Sequence, residues 1–153
     1  MTVERVAAPT PEAAALLAEL DAVLGAMYEA HQRHALSLDQ VFQPNIRFFV
    51  ARIGDEAAGC GGVALYGGYA EIKRMYSRPA VRGRGIAKAL LAKLEAEART
   101  ARQTVLHLET GIHQVEAIGF YESSGFRRCE AFGPYALMRP EQIATSLFYE
   151  KPL

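Results

Sequence analysis

Apolar residues recur at two different periods along this 153-residue chain, and the changes of period mark its elements. Thr10 stands where a helix N-cap belongs, Pro11 occupies the first helical position and Glu12 follows. In the Ala/Leu-rich run beyond them Leu16, Leu20, Val23, Leu24 and Met27 share one face, which predicts a long amphipathic helix with Glu12, Glu19 and Asp21 in solvent. The pattern lapses from His31 to Asn45, a helix-to-loop stretch ending at Pro44. From Ile46 the period shortens. Residues 47–53 and 57–66 read as two antiparallel strands around Gly54-Asp55-Glu56, and Gly67-Gly68 turn the chain into a third strand over Tyr69–Tyr76. Gly59, Gly61 and Gly62 weaken the second strand but let another backbone approach closely.

Helical spacing returns after Pro79. Ile86, Leu90, Leu94 and Ala98 form an apolar stripe, with Lys88, Lys93, Glu95 and Glu97 on the wet side. Val105–Thr110 is long enough only for a strand, and a helix joins it to the third strand, so the two are parallel by the crossover rule. Gln114–Ser124 reads as a further helix closed by Gly125. Strands at Phe126–Phe132 and Ser146–Glu150 close the sheet around a loop carrying Gly133-Pro134-Tyr135. The class is α/β with a mixed sheet, and the length leaves room for a single domain, residues 1–153.

Composition narrows the chemistry. Lys plus Arg equals Asp plus Glu at 17 each, so no overall charge draws the chain to nucleic acid or to an anionic membrane. No apolar stretch has bilayer length and residues 1–9 do not resemble an export leader. Cys60 and Cys129 form no CxxC and have no neighbouring His in sequence, which points to free thiols in a reducing cytoplasm, without disulfide or metal. Against this neutral background, Lys73 to Lys93 holds seven bases and no acid. Within it Arg82-Gly83-Arg84-Gly85 opens a helix, where free amides and the helix dipole make an anion site that side chains would otherwise obstruct. The loop lacks the GKS/T ending of a P-loop and the full GxGxxG of a dinucleotide fold, so ATP and NAD are disfavoured. No aromatic platform is interleaved with its arginines, which argues against RNA.

The run Arg82-Gly83-Arg84-Gly85-Ile86-Ala87 resembles the coenzyme A signature [R/Q]-x-x-G-x-[G/A] of the GCN5-related N-acetyltransferase (GNAT) family. Glu71–Tyr76 is similar to that family's fourth strand and Leu108–Gly111 to the end of its fifth. Gln114-x-x-Ala117-x-x-Phe120-Tyr121-Glu122-x-x-Gly125-Phe126 matches its later N-x-x-A-x-x-F-Y-E-x-x-G-F element, with Gln in place of Asn. The resemblance runs from about Ile46 to Leu153. It implies a GNAT fold, a mixed central sheet of six to seven strands flanked by about four helices, using acetyl-CoA as cofactor to acetylate an amine.

The resemblance also assigns roles. It implies that residues 82–87 bind the pyrophosphate, that Met75 and Ser77 offer backbone groups to the pantetheine arm and that Gln114 adds a side-chain hydrogen bond. Tyr121 would protonate the departing thiolate, the alternative being a packing role. An amine attacks only as the neutral form, so a base is required, and Glu71 and Glu109 at the strand ends are both candidates. His34, Phe132 and Tyr135 are candidate acceptor-binding residues, whereas His107, inside an apolar strand, reads as a hydrogen-bonded core histidine. The expected acceptor is a small-molecule amine, with a protein or peptide amine, or a noncatalytic coenzyme A-binding module, as the rival readings. A homodimer is left open.

Overall fold

The computed structural model describes residues 1–153. Its strands are β1 (Thr2–Arg5), β2 (Ile46–Ile53), β3 (Glu56–Leu65), β4 (Ala70–Ser77), β5 (Val105–Gly111), β6 (Arg127–Arg128) and β7 (Ser146–Pro152). They form one seven-stranded sheet in the order β1-β2-β3-β4-β5-β7-β6, antiparallel throughout except for the parallel pair β4·β5. The helices are α1 (Pro11–Met27), α2 (Ile86–Thr100), α3 (Val115–Ser123) and the single turn α4 (Pro140–Ile143).

Each face of the sheet buries one helix stripe. Ile86, Leu90, Leu91, Leu94 and Ala98 of α2 pack on Phe49, Ala51, Val63 and Ile72, and Leu106, Leu108, Tyr121 and Tyr149 extend the same cluster across the parallel strands. On the other face Ala13, Leu16, Leu17 and Leu20 of α1 meet Phe48, Val50, Cys60 and Tyr76. Burying each large side chain contributes on the order of 1.5–3 kcal/mol, so these two stripes hold the helices in place. Thr10 caps α1 as its position in the sequence predicts, its hydroxyl accepting the Ala13 N–H at 3.1 Å.

Two irregularities in β4 shape the centre of the sheet. The β3·β4 register slips between Cys60 and Gly62, and Arg74 adopts φ 57°, rare for a residue with a side chain. Its guanidinium is anchored on α1, donating to Leu17 O at 3.1 Å and Asp21 Oδ1 at 2.6 Å. In addition, β4 and β5 are in register only at Ala70↔Leu106 and Glu71↔His107. Beyond Glu71 the two strands part, and the sheet opens into a wedge.

Several expectations need correcting. Strand β1 was not foreseen, because four residues with a mostly exposed pattern carry no alternation. Glu12, Glu19 and Asp21 stay substantially exposed as expected, but they also pair with Arg52, Arg78 and Arg74 and tie α1 to the sheet. Val23 and Met27 lie outside the core. The helix-to-loop stretch expected over 31–45 holds two short 3-10 turns, Ala30–Gln32, which starts one residue earlier, and Gln40–Phe42. The strand expected over Phe126–Phe132 is confined to Arg127–Arg128: after the Cys129 N–H reaches Phe148 O at 2.9 Å the chain leaves the sheet edge for a 3-10 turn at Gly133–Leu137.

The close approach foreseen at the strand glycines is tightest at Gly59, where a Cβ would stand 2.5 Å from Tyr76 O and 2.8 Å from Ile86 Cγ2. Gly67 has no atom within 4 Å of the same point. Gly59→Ala should therefore destabilise by about 1–3 kcal/mol, while Gly67→Ala should stay within about 0.5 kcal/mol of the parent. Urea unfolding checks this, and matching midpoints for the two variants would contradict the packing described.

Candidate active site

The wedge between β4 and β5 separates two cavities. The larger, about 1050 Å³, lies between the end of β4, the start of α2 and the length of α3, with Leu20, Val23 and Met27 of α1 along one side. Its mouth is the loop ahead of α2. Gly83 and Gly85 there take φ +80° and +83°, and a Cβ on Gly83 would meet nothing within 4 Å, so the backbone conformation rather than crowding calls for glycine. The first helical amides of α2 have no intrahelical acceptor, and Gly85 provides no side-chain cap. None of the amides from Gly83 to Lys88 donates to a loop carbonyl either. The positive end of a four-turn helix is thus left open to the cavity.

The expected concentration of positive charge is smaller than the sequence implies. Lys73, Arg74, Arg78, Arg82 and Lys93 each face an acid, Glu71 two residues away in the same strand, Asp21, Glu19 and Glu116 from other elements, and Glu97 one helical turn on. Arg84 and Lys88 remain unpaired.

The smaller cavity, about 110 Å³, occupies the α1 side of the wedge. Glu71, 2% exposed, accepts from the Tyr135 hydroxyl at 2.7 Å and pairs with Lys73 Nζ at 2.8 Å, and Lys73 also reaches the Tyr135 oxygen at 3.0 Å. The Tyr135 phenol is consequently held protonated far above its ordinary range, first by burial and then by the Glu71 charge. Glu109 accepts only from the Ser146 hydroxyl, at 2.8 Å. Burial pushes its carboxyl above the usual carboxylate range; the Ser146 hydrogen bond and the neighbouring His34 and Lys73 oppose the rise, and Glu71 adds to it. Residues 30–43 and 133–143 clasp over the outer side, where His34 Nε2 donates to Gln142 O at 2.8 Å and its ring meets Tyr135 edge-on at 5.5 Å.

The two cavities share Leu20, Met75, Gln114, Ala117 and Tyr121 in their walls. Tyr121 is buried, and burial alone raises its phenol, with no charge or hydrogen bond contributing. Of the residues the resemblance assigned to the cofactor, Met75, Ser77, Arg82, Gly83, Gly85, Ile86, Ala87, Gln114 and Tyr121 line the larger cavity; Arg84 does not. The Gln114 carbonyl is turned back to accept the Gly111 N–H at 2.9 Å, so only its amide nitrogen is left for the cavity. Glu71, Glu109, His34 and Tyr135 line the smaller cavity. Phe132 does not; it stacks on His107 at 4.2 Å, behind Tyr135 and against Tyr69 and Phe148. His107 lies 3.3 Å from Tyr149 O, and the fold brings it 3.8 Å from Cys129 Sγ, a proximity the sequence separation of 22 concealed. Lys73, Ser146 and Tyr28 were missed. Tyr28 accepts the His113 N–H at 3.0 Å and closes the cavity over Gly111, and no local motif marks a partner so distant in sequence.

A loop with unengaged amides thus lies on one side of a splayed sheet and a carboxylate-lined cavity on the other. Residues 15–126 match the Acetyltransferase (GNAT) family. A protein of Azospirillum brasilense named IAA acetyltransferase is 44% identical over 140 residues, spanning 90% of this chain and 88% of its own. The uncharacterised N-acetyltransferase YsnE of Bacillus subtilis is 40% identical over 105 residues, 67% of this chain and 70% of its own. A solved Klebsiella pneumoniae structure assigned as an acyl-CoA N-acyltransferase superposes with TM-score 0.80 at 36% identity, covering 99% of this chain and 97% of that one. The PaiA N-acetyltransferase of Thermoplasma acidophilum, solved with coenzyme A, shares the fold at TM-score 0.74 and 16% identity over the full length of both chains. The chain belongs to the GNAT acetyltransferase family, and is a transferase of that class. No helix is long and apolar enough to cross a membrane.

Proposed function

We propose that the protein transfers the acetyl group of acetyl-CoA to the amine of a small molecule by direct attack on the thioester. The observation that carries this reading is the run of unengaged amides from Gly83 to Lys88 on a cavity that meets a second, carboxylate-bearing one at Tyr121. A diphosphate fits the first as an anion at a helix N-terminus. The β4 edge beyond Glu71 has no β5 partner, so its main chain is available to the amide groups of a pantetheine arm, as in strand addition. That arm would bring the thioester to the junction.

The acceptor then enters from the smaller cavity, whose limited volume and clasped outer side favour a small molecule over a peptide. Of the two candidate bases Glu109 is the better placed. The Glu71 charge is already compensated by Lys73 and Tyr135, whereas Glu109 contacts only a neutral hydroxyl and its affinity for protons is raised. It takes the amine's proton directly or through a water. Tyr121 stands where the thiolate departs; the burial that holds its proton also raises the proton affinity of a thiolate formed beside it, which favours the transfer.

Three outcomes are expected. Gly85→Glu places a bulky anion at the loop and should weaken acetyl-CoA binding more than about tenfold by calorimetry; an unaltered Kd would remove the loop assignment. Glu109→Gln and Tyr121→Phe should each lower kcat by about 10²–10⁴ with acetyl-CoA affinity retained, as followed by thiol release, and parental rates would strip both residues of these roles. Ser146→Ala deletes a hydrogen bond that lowers the Glu109 pKa, so the acid limb of the kcat/KM profile should move to higher pH; a shift to lower pH, or none, would count against Glu109 as the base.

A further inference from the structure

We infer that the acceptor carries a carboxylate as well as its amine, with the amine directed to Glu71 and Glu109 and the carboxylate held by Arg33 at the cavity's outer side. This rests on the acetyl-transfer reading above and names the substrate class for that site. The wall of the smaller cavity contains the bases Arg33, Lys73 and Arg74 and the acids Glu71 and Glu109, three against two. Lys73 is compensated within the wall by Glu71, and Arg74 from outside it by Asp21. Arg33 makes no ion pair: Glu29, the nearest acid in sequence, is engaged with His31 instead. Its guanidinium is nevertheless not adrift. Nη1 lies against the C-terminal half of α1, 3.5 Å from where a Gly25 Cβ would stand, toward the end at which the helix dipole favours a cation.

A second observation points the same way. Arg74, 7% exposed, keeps Nε and Nη1 buried without any protein acceptor. Buried donors of this kind are normally satisfied, so the packing between β4 and α1 behind the cavity is short of acceptor oxygen rather than of donors. With the Lys73–Glu71 and Arg74–Asp21 pairs set aside, the wall keeps one uncompensated charge of each sign, Arg33 and Glu109, and an ammonium alone would answer only Glu109. An amino acid or similar amino-carboxylate brings one charge of each sign: its ammonium meets the carboxylates at the inner side, and its carboxylate supplies the anion that Arg33 lacks. A single carboxylate matches the single unpaired base, whereas a phosphate would overshoot it.

The test compares kcat/KM for amines of matched shape with and without a carboxylate, γ-aminobutyrate against butylamine and phenylalanine against phenethylamine, using purified protein and acetyl-CoA. A charge-assisted contact of ordinary strength gives the carboxylated member of at least one pair an advantage of about tenfold or more, expressed mainly in KM. Arg33→Glu should bring that ratio below one and Arg33→Lys should restore part of it, with the thermal shift on adding acetyl-CoA confirming that each variant is folded and loaded. Neutral amines acetylated as fast as their carboxylated twins, or a ratio indifferent to Arg33→Glu, would overturn this inference alone. Turnover of no amine in either set by the parent protein would overturn the acetyl-transfer reading, and this inference with it.

Discussion

The separation of β4 from β5 after two residues of parallel pairing is the constraint on which the rest of this molecule depends. A parallel pair that continued would satisfy both edges and seal the sheet between α1 and α3. Because it stops at Glu71, the main chain of β4 is left with free hydrogen-bonding groups along one edge, and such groups are costly unless something meets them. The wedge is therefore both an opening and a demand for a partner. The two cavities lie on either side of it and meet at Met75, Gln114, Ala117 and Tyr121.

Holding a sheet open requires that its arms not close on each other. The β4 arm is fixed to α1 by Arg74 to Asp21 and by Arg78 to Glu19, and the left-handed backbone at Arg74 is tolerable because the guanidinium is anchored at Leu17 O and Asp21. The β5 arm is fixed differently, by an unbroken antiparallel register with β7 from Val105↔Pro152 to Gly111↔Ser146. That pairing also places Ser146 on Glu109. The strand that steadies the sheet is thus the one that sets the proton affinity of the cavity's least compensated carboxylate.

Much of this architecture was legible in the sequence. Period-2 and period-3.6 patterns located β2 to β5 and α1 to α3 to within a residue or two, and the crossover rule gave the parallel pair. The backbone conformation of the loop ahead of α2 was legible because glycine records such conformation locally. What was illegible depended on long-range pairing. Glu12, Glu19 and Asp21 look like a solvated helix face until their partners from β2 and β4 arrive, and Lys73 looks like one more base in a basic run until it is seen against Glu71 and Tyr135. Phe132 was assigned to the acceptor because it adjoins Tyr135 in sequence; the turn at Gly133 sends the two rings to different places, one into the cavity wall and one behind it.

The same pairing changes the meaning of the basic segment. A run of seven bases suggests that a polyanion is captured by charge, but five of the seven face acids, and the arginine between the two loop glycines lies outside the cavity wall. An anion bound at the loop, as proposed, would meet chiefly main-chain donors: amides at a helix start, oriented by the fold before any ligand arrives. Side-chain cations would attract any phosphate in reach at a distance set by salt. Fixed amides at the mouth of a deep, partly apolar groove favour an anion that continues into a chain long enough to reach Tyr121. On the proposed reading, selectivity for a long diphosphate-bearing thioester would follow from the loop and the wedge acting together, since the loop alone would hold any small anion and the wedge alone would hold any amide.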